Sequence, residues 1–412
     1  MRIENIAVEL NESSAKLSAM ISWEDCPRPP QVIYFETPSE FANGFTCNPS
    51  PFLIAACISG MHHGEKRVWV DCELCPELVN GLSTAMCLLG HWYGRSEKVL
   101  KIESRGKIKQ VSPRAPSRSG FFMTGGVDSL VTLRLNRLHY PRAHPGSIKD
   151  GLIVFGLEVS SREAFEHVLS SLAPFVQQAE MEMIPIYTNV RYLDDDWQFW
   201  SRQFQGAVLA SIAQVFSSRL TRVSIGSTDD IAHLEPFGSH PLLDCNYSSH
   251  DLHILHQGIA FSRLEKCKIL TEWDNAIRYL RVCNRGDYYQ KGMVNCGKCE
   301  KCIRTMLALL ALGKLEGAQA FPRSDVSEDD IQNHVYLTSN TIYEYEEILP
   351  LLKQRNRHDL VRAIQRAMAN YRGEVGFTGA LKRFDRVRLN QGLCTLKRAL
   401  FSPSDVGSGE GV

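Results

Sequence analysis

A short glycine-containing loop between an apolar strand and a helix constrains this chain more than any other feature. Residues 121–123 (FFM) are apolar, residues 124–129 (TGGVDS) follow, and residues 130–138 carry apolar side chains at helical spacing. Two glycines let the backbone turn sharply and approach a ligand closely. The loop amides and the positive end of the helix would then converge on one place, which suits a phosphate chain.

The residues of this loop have separate expected roles. Gly125 and Gly126 permit the turn, and Ser129 either caps the helix or donates its hydroxyl to a phosphate oxygen. A carboxylate does not attract phosphate, so Asp128 is expected to orient the loop, to hold Mg²⁺ or to position a second substrate. The loop matches neither the Walker A motif nor the dinucleotide-binding fingerprint. A glycine-rich turn that only caps an ordinary helix is the structural alternative.

From residue 119 onward, strand and helix patterns alternate. Three further strands are predicted with two helices between them, in the order 151–157, 162–181, 183–190, 197–218 and 222–228. This order predicts an α/β fold with a doubly wound parallel sheet. Ligands bind at the carboxyl ends of the strands in such sheets. The 124–129 loop, Phe155 and the segment Gly226-Ser227-Thr228 should therefore meet around a nucleotide.

A less regular polar segment, residues 229–256, follows the last of these strands. It contains five of the thirteen histidines of the chain. A long segment in this place is expected to cover the nucleotide and to form the pocket for a second substrate. Asp244 or His240 is a candidate acid/base or substrate ligand, and a solvated surface loop is the alternative. A helix at 258–270 and a strand at 276–282 are predicted next.

Four cysteines form the second chemical signal. Their spacing is C-x12-C-x2-C-x2-C, at Cys283, Cys296, Cys299 and Cys302. Four thiolates in a tetrahedron are a preferred ligand set of Zn²⁺, and a site without an open position is structural. An iron–sulfur cluster is the main competitor. Nearby basic residues would offset the negative charge of the thiolates, namely Lys291, Lys298, Lys301 and Arg304.

Composition limits the broad class of protein. The chain has 412 residues with 46 basic and 46 acidic side chains, which argues against a dominant nucleic-acid footprint. Neither a transmembrane run nor an apolar signal core is visible, so a cytoplasmic protein is expected. In such a compartment the thirteen cysteines favour metal ligands and core residues over disulfides.

Changes of pattern along the chain predict five regions. They are an N-terminal α+β module (1–110), a nucleotide-binding domain (111–282), the four-cysteine site with its helix (283–315), a helical region (316–401) and a disordered tail (402–412). Three helices are predicted in the helical region, at 341–354, 358–370 and 379–389. Their many arginines indicate either a solvated face or a surface for a partner or an RNA.

The loop resembles the S-G-G-x-D-S loop of the PP-loop ATP pyrophosphatase superfamily, with Thr124 at the position of the first serine. Together with the cysteine cluster, residues 119–315 are similar to the 7-cyano-7-deazaguanine synthase family. The resemblance implies cleavage of ATP to AMP and pyrophosphate, adenylation of a carboxylate, and attack by a nitrogen nucleophile to give an amide and then a nitrile. It implies that the residues of the loop hold ATP and that the cysteines hold structural Zn²⁺: Thr124, Gly125, Gly126, Asp128 and Ser129; Cys283, Cys296, Cys299 and Cys302.

The chain also departs from that family. The first cysteine gap is longer, and the regions before 110 and after 315 are additional, which suggests a divergent relative with a larger acceptor. The expected partner is a small carboxylate such as a 7-deazaguanine, or, by analogy with relatives beside anti-phage defence genes, a protein. Nucleic acid is less favoured, no membrane is expected, and a homodimer is left open. A tRNA-modifying PP-loop enzyme, with Cys245 as a thiolation cysteine, and a non-catalytic nucleotide-binding scaffold are the alternatives.

Overall fold

A computed structural model of the chain describes residues 1–43, 45–94, 99–106, 117–157, 161–283 and 293–388. The chain divides into two compact units, residues 1–325 and 326–412. The predicted tail at 402–412 and Lys291 lie outside the described residues. Among the helices of the described ranges, none combines the length and the apolar character needed to cross a bilayer.

The described part of the first unit contains one ten-stranded sheet. Its strands are β1 (Arg2–Leu10), β2 (Ser14–Ser22), β3 (Gln31–Pro38), β4 (Arg67–Val70), β5 (Lys101–Ser104), β6 (Ser119–Phe122), β7 (Ile148–Phe155), β8 (Glu182–Thr188), β9 (Arg222–Gly226) and β10 (His253–Gln257). Their order across the sheet is β10-β9-β6-β7-β8-β3-β2-β1-β4-β5.

The helices follow the alternation that the sequence predicts. They are α1 (Ser50–His63), α2 (Pro76–Trp92), α3 (Val127–His139), α4 (Arg162–Gln178), α5 (Trp197–Phe199), α6 (Gln205–Val215), α7 (Pro241–Asp244), α8 (Arg263–Thr271), α9 (Asp274–Arg278), α10 (Glu300–Leu312), α11 (Glu328–His334), α12 (Ile342–Gln354) and α13 (His358–Arg388). Pro76 opens α2 at a position where a missing backbone N–H costs nothing.

Strands β10, β9, β6, β7 and β8 are mutually parallel. The chain adds β7 and β8 on one side of β6 and then returns to add β9 and β10 on the other. The order therefore reverses between β6 and β9, which is where ligands bind in open α/β sheets. This half of the sheet is compatible with the doubly wound α/β fold predicted from the sequence.

The N-terminal region is part of the same sheet. Strand β3 pairs antiparallel with β8, and β2, β1, β4 and β5 continue outward from it. Helix α1 is buried on every face from Ser50 to Met61 and packs against α6. Phe35, Phe52 and Phe204 share one apolar core. The predicted boundary near residue 110 therefore does not separate two compact units.

Several predicted elements need correction. The strand predicted at 276–282 is wrong, because Asp274–Arg278 is a helical turn and the amides of Val282 and Cys283 bind the Asn295 side chain instead of a neighbouring strand. The helix predicted at 258–270 begins only at Arg263, after a capping box of Ser262 and Glu265. Strand β10 lies inside the segment predicted to be irregular.

Two long helices also differ from the prediction. The helix predicted at 197–218 contains a π-helical turn at Trp200–Phe204, where the Gly238 amide donates to the Ser201 carbonyl and the Gly206 amide to the Gly238 carbonyl. The two helices predicted after residue 358 form the single helix α13. Some of its arginines pair with acids of the same unit, as Arg372 does with Glu346.

Candidate active site and metal centre

The loop of residues 124–129 joins β6 to α3, as predicted. Gly125 has a φ of +75°, a left-handed conformation that favours glycine. The Thr124 amide donates to the Ser129 hydroxyl over 3.1 Å, and the Gly126 amide donates to the Thr124 hydroxyl over 3.2 Å. The two hydroxyls therefore hold the loop itself in shape. Ser129 is buried in this arrangement.

Asp128 is held by two cations that the sequence analysis did not single out. Arg263 lies 3.1 Å from its carboxylate and the ammonium of Lys266 lies 3.3 Å from it. The Lys266 side chain is only 1% exposed and also donates to the carbonyls of Ser227 and Thr228, at 2.6 and 2.9 Å. One buried lysine thus connects α8, the end of β9 and the start of α3. Of the roles expected for Asp128, these contacts correspond to orienting the loop.

Arg281 fixes the other side of the loop. Its amide donates to the Gly125 carbonyl over 2.8 Å, and its guanidinium donates to the Thr124 carbonyl over 3.1 Å. The residue lies in the segment where the sequence predicts a strand. The Arg281 amide binds the loop and not another strand, which explains why the strand prediction fails. The same contact places the Arg281 guanidinium beside the loop.

The end of β9 packs directly on the first turn of α3. A Cβ at Gly226 would lie 2.8 Å from the Asp128 carbonyl oxygen, so only glycine fits there without movement. Ser227 is buried, its amide donates to the Gln257 carbonyl and its hydroxyl donates to the Asp229 carbonyl. The predicted meeting of the 124–129 loop with Gly226 and Ser227 is therefore present in the structure.

These elements border a cavity of about 310 Å³, a size in the range of small-molecule sites. Gly226 and Ser227 line it, together with most of the 124–129 loop. Phe155, expected at the nucleotide, instead packs against Phe165 and Tyr187. Apolar side chains also line the cavity, among them Phe122, Val154, Leu157 and Ile225. Four cations also line the cavity, namely Arg263, Arg281, Lys301 and Arg304.

Asp244 stands behind the cavity wall rather than in it. Its side chain is fully buried and accepts a hydrogen bond from the Ser239 hydroxyl over 2.7 Å. Its Oδ2 also lies 2.7 Å from Nδ1 of His256, and His256 lines the cavity. The histidine was not singled out from the sequence, because nothing in its short strand marks it among the five histidines of this segment.

His240, the other acid/base candidate, has a helix-capping role. Its Nδ1 accepts a hydrogen bond from the Leu242 amide over 3.1 Å at the start of α7. Burial lowers the pKa of His240, and the neighbouring His256 lowers it further. Because Nδ1 of His240 already accepts the Leu242 amide, this atom serves as a helix cap and not as a proton acceptor for a substrate.

The four cysteines come together as the spacing predicts. The sulfurs of Cys296 and Cys302 lie 3.9 Å apart, as do those of Cys283 and Cys299, and all four lie within 4.8 Å of one another. Four thiolates about 2.3 Å from a tetrahedral ion would be separated by about 3.8 Å. The cluster could therefore hold a metal ion. Amides of Lys298 and Cys299 donate to the Cys296 sulfur.

A buried asparagine braces this cluster. The Asn295 side chain is hydrogen-bonded to the amides of Val282 and Cys283 and to the carbonyls of Leu280 and Ala320. Both side-chain amide hydrogens and the side-chain oxygen of Asn295 are hydrogen-bonded. These bonds fix Cys283, which is the most distant of the four cysteines in the sequence, beside the other three. This residue, too, gives no sequence signal.

A second group of metal-ligating types is better described as hydrogen-bonded. His62 and His63, at the end of α1, face the same Asp194 oxygen at 2.6 and 2.8 Å. Those distances are hydrogen-bond lengths, shorter than the roughly 3.3 Å between ligand atoms of a tetrahedral zinc site with bonds of about 2.0 Å. Burial by itself would raise the pKa of Asp194, but the two histidines outweigh it and hold that pKa well below its usual range.

The chain was compared with protein-family models, with curated proteins and with solved structures. None of the three comparisons found a match. The function is therefore inferred from the site itself.

Proposed function

We propose that this chain is an ATP-dependent carbon–nitrogen ligase of 7-cyano-7-deazaguanine synthase type. It would cleave ATP to AMP and pyrophosphate and adenylate a carboxylate for attack by a nitrogen nucleophile. The observation that carries the proposal is the position of residues 124–129 beside the cavity, at the point where the strand order reverses between β6 and β9. Nucleotides bind at this point in doubly wound sheets.

The surroundings of the loop suit a polyphosphate. The first amides of α3 have no partner inside the helix, and the helix dipole makes that end positive. The guanidiniums of Arg263 and Arg281 border the loop, and α10 brings Lys301 and Arg304 to the same cavity. Fixed positive charge of this kind stabilises the charge that builds up on phosphates during transfer. The apolar side chains that line the cavity offer contacts for a planar base.

The proposed reaction begins with attack of a carboxylate oxygen on the α phosphorus of ATP. Pyrophosphate leaves, and a nitrogen nucleophile then displaces AMP from the acyl-adenylate. Mg²⁺ would accompany ATP as its counter-ion. We assign it no protein ligand, because the Asp128 carboxylate is engaged by Arg263 and Lys266. The acceptor would be a 7-deazaguanine carboxylate or a group on a partner protein.

We assign the four-cysteine cluster to structural Zn²⁺. All four ligand positions are thiols, so the ion would have no open position for a substrate. Its effect would be on the fold: the cluster fixes Cys283, two residues from Arg281, and Cys299, which caps α10. Thiolation chemistry receives no comparable support, because Cys245 is not one of the residues that border the cavity.

The experiment is product analysis with ATP labelled at the α or γ phosphate, using zinc-loaded protein with and without 7-carboxy-7-deazaguanine and ammonia. AMP and pyrophosphate that appear only with the acid would support the proposal. AMP without dependence on this acid would redirect the search to RNA or protein acceptors. ADP and phosphate would contradict α–β cleavage, and tight ATP binding without turnover would favour a nucleotide-binding scaffold.

A further inference from the structure

One imidazole of the cavity wall has a buried nitrogen that the proposed nucleotide site does not use. The His256 side chain is 5% exposed and lines the cavity. Its Nδ1 lies 2.7 Å from Asp244 Oδ2. Its Nε2 is buried and has no hydrogen-bond partner among the described residues. A buried polar atom without a partner is costly, and a ligand that reached Nε2 from the cavity would supply one.

The carboxylate behind this imidazole is held in place by several neighbouring groups. Asp244 is fully buried, and the Ser239 hydroxyl and the His240 amide donate to its two oxygens, at 2.7 and 3.4 Å. A Cβ at residue 206 would lie only 2.2 Å from Asp244 Oδ1, so Gly206 leaves the space that the carboxylate fills. The position of Asp244, and with it the orientation of His256, is therefore fixed from three sides.

This arrangement determines which imidazole nitrogen can accept a proton. An ionised carboxylate only accepts hydrogen bonds, so a neutral His256 places its proton on Nδ1 towards Asp244. Nε2 then carries a lone pair. A carboxylate-oriented imidazole whose Nε2 lone pair is not used by the protein is an arrangement that enzymes use for general base catalysis.

The imidazole is also near enough to the nucleotide loop to take part in a reaction there. His256 pairs with Ile225 on β9, and Ser224 pairs with Phe121 on β6. Neighbouring strands are about 4.8 Å apart, so the β10 backbone lies about 10 Å from the strand that leads into the loop. His256 and the 124–129 loop line the same cavity, and an acyl group activated on the α phosphate would lie in that cavity.

We propose that His256 is the general base of the second half-reaction, with Asp244 as its positioning residue. This inference rests on the proposed function. The nitrogen lone pair attacks the carbonyl carbon of the acyl-adenylate and forms the C–N bond, while one N–H proton moves to His256 Nε2. The C–O bond to the phosphate breaks, and AMP leaves with its electron pair. Asp244 stabilises the imidazolium and does not take the proton.

The first test compares two nucleophiles in wild-type protein and His256→Gln, with 7-carboxy-7-deazaguanine as the acid. General base catalysis typically contributes about 10²–10⁴-fold, so amide formation from ammonia should fall by about 100-fold or more. Hydroxylamine is a strong nucleophile that is largely unprotonated at neutral pH, so hydroxamate formation should stay near the wild-type rate. Acid-dependent exchange of pyrophosphate into ATP should also persist. Equal loss of all three reactions, or no loss of any, would overturn the assignment.

A second measurement needs no acceptor and therefore applies whatever the substrate is. Protein labelled with ¹⁵N-histidine should show His256, identified by its absence in His256→Gln, as the Nδ1–H tautomer. Asp244→Asn should convert it to the Nε2–H tautomer, because the amide then donates to Nδ1. An Nε2–H tautomer in the wild-type protein would refute the general base role. Failure of wild-type protein to exchange pyrophosphate with the acid would instead contradict the proposed function.

Discussion

At the scale of single residues, the site depends on buried polar groups with several partners. Lys266 is the clearest case: its ammonium is bound to the Asp128 carboxylate and to two carbonyls at the end of β9. Asn295 holds the cysteine cluster in the same way, through four backbone groups. Both residues belong to types that are normally exposed. Burying these polar side chains costs desolvation free energy, and in return their hydrogen bonds fix the positions of the groups around them.

We expect Lys266→Met to destabilise the protein by about 2 kcal/mol, because it leaves the buried Ser227 carbonyl without its side-chain donor and removes one of the two cations beside Asp128. ATP binding should weaken as well, since Asp128 loses one of its two cations. Urea unfolding and calorimetric titration with ATP would measure the two effects. The control is Lys268→Met on the same helix, where the side chain is exposed and the change should stay within about 0.5 kcal/mol. Equal effects of the two substitutions would contradict this account.

At the scale of elements, the cysteine cluster and the cavity are linked by the segments of chain that they share. Helix α10 begins at Glu300, directly after its N-cap Cys299, and presents Lys301 and Arg304 to the cavity. Cys283 follows the segment in which Arg281 binds the 124–129 loop. A metal ion held by the cysteines would therefore fix both groups of cations, although it would take no part in the chemistry.

We expect purified protein to contain one zinc ion per chain, and Cys299→Ser to lose most of it. Because the start of α10 would loosen, the affinity for ATP should fall together with the metal content. Elemental analysis and ATP titration of the same samples would test this link, with the exposed Cys87→Ser as the control. If the protein instead contained iron and showed visible charge-transfer absorption, the site would be assigned to an iron–sulfur cluster and not to zinc. Metal loss with unchanged ATP affinity would separate the cluster from the cavity.

At the scale of the whole molecule, a single sheet joins the N-terminal strands β1–β5 to the parallel strands β6–β10. The contact between β3 and β8 is short, with two paired positions. The Asn189 side chain extends it by accepting from the Tyr34 amide and donating to the Val32 carbonyl. Helix α1 of the N-terminal region also packs against α6, which precedes β9. The two regions share a core and should unfold together.

We expect hydrogen exchange at rising urea concentrations to give the same free energy of opening for the amides of α1 and α6. Elements that share one core open in one cooperative step. If α1 opened at a much lower free energy than α6, the N-terminal region would be a separately folding module after all.

The sequence by itself determined the features that depend on residues close together in the chain. The TGGVDS loop, the strand before it, the helix after it and the CxxCxxC spacing are local patterns, and the structure contains each of them. The alternation of strands and helices was enough to predict an α/β sheet. Phe155 was misplaced by this reasoning, because a position at a strand end does not reveal the direction of the side chain.

Only the tertiary structure decided which distant residues meet at the site. Lys266 contacts Asp128 across 138 positions, and His256 joins Asp244 only because a short strand, unmarked by any apolar run, pairs with β9. The same holds for the sharing of one sheet by residues 1–106. Such pairings depend on strand order and on the burial of polar groups with partners. Strand order and the partners of buried polar groups leave no local pattern in the sequence, whereas backbone turns and metal-ligand spacings do.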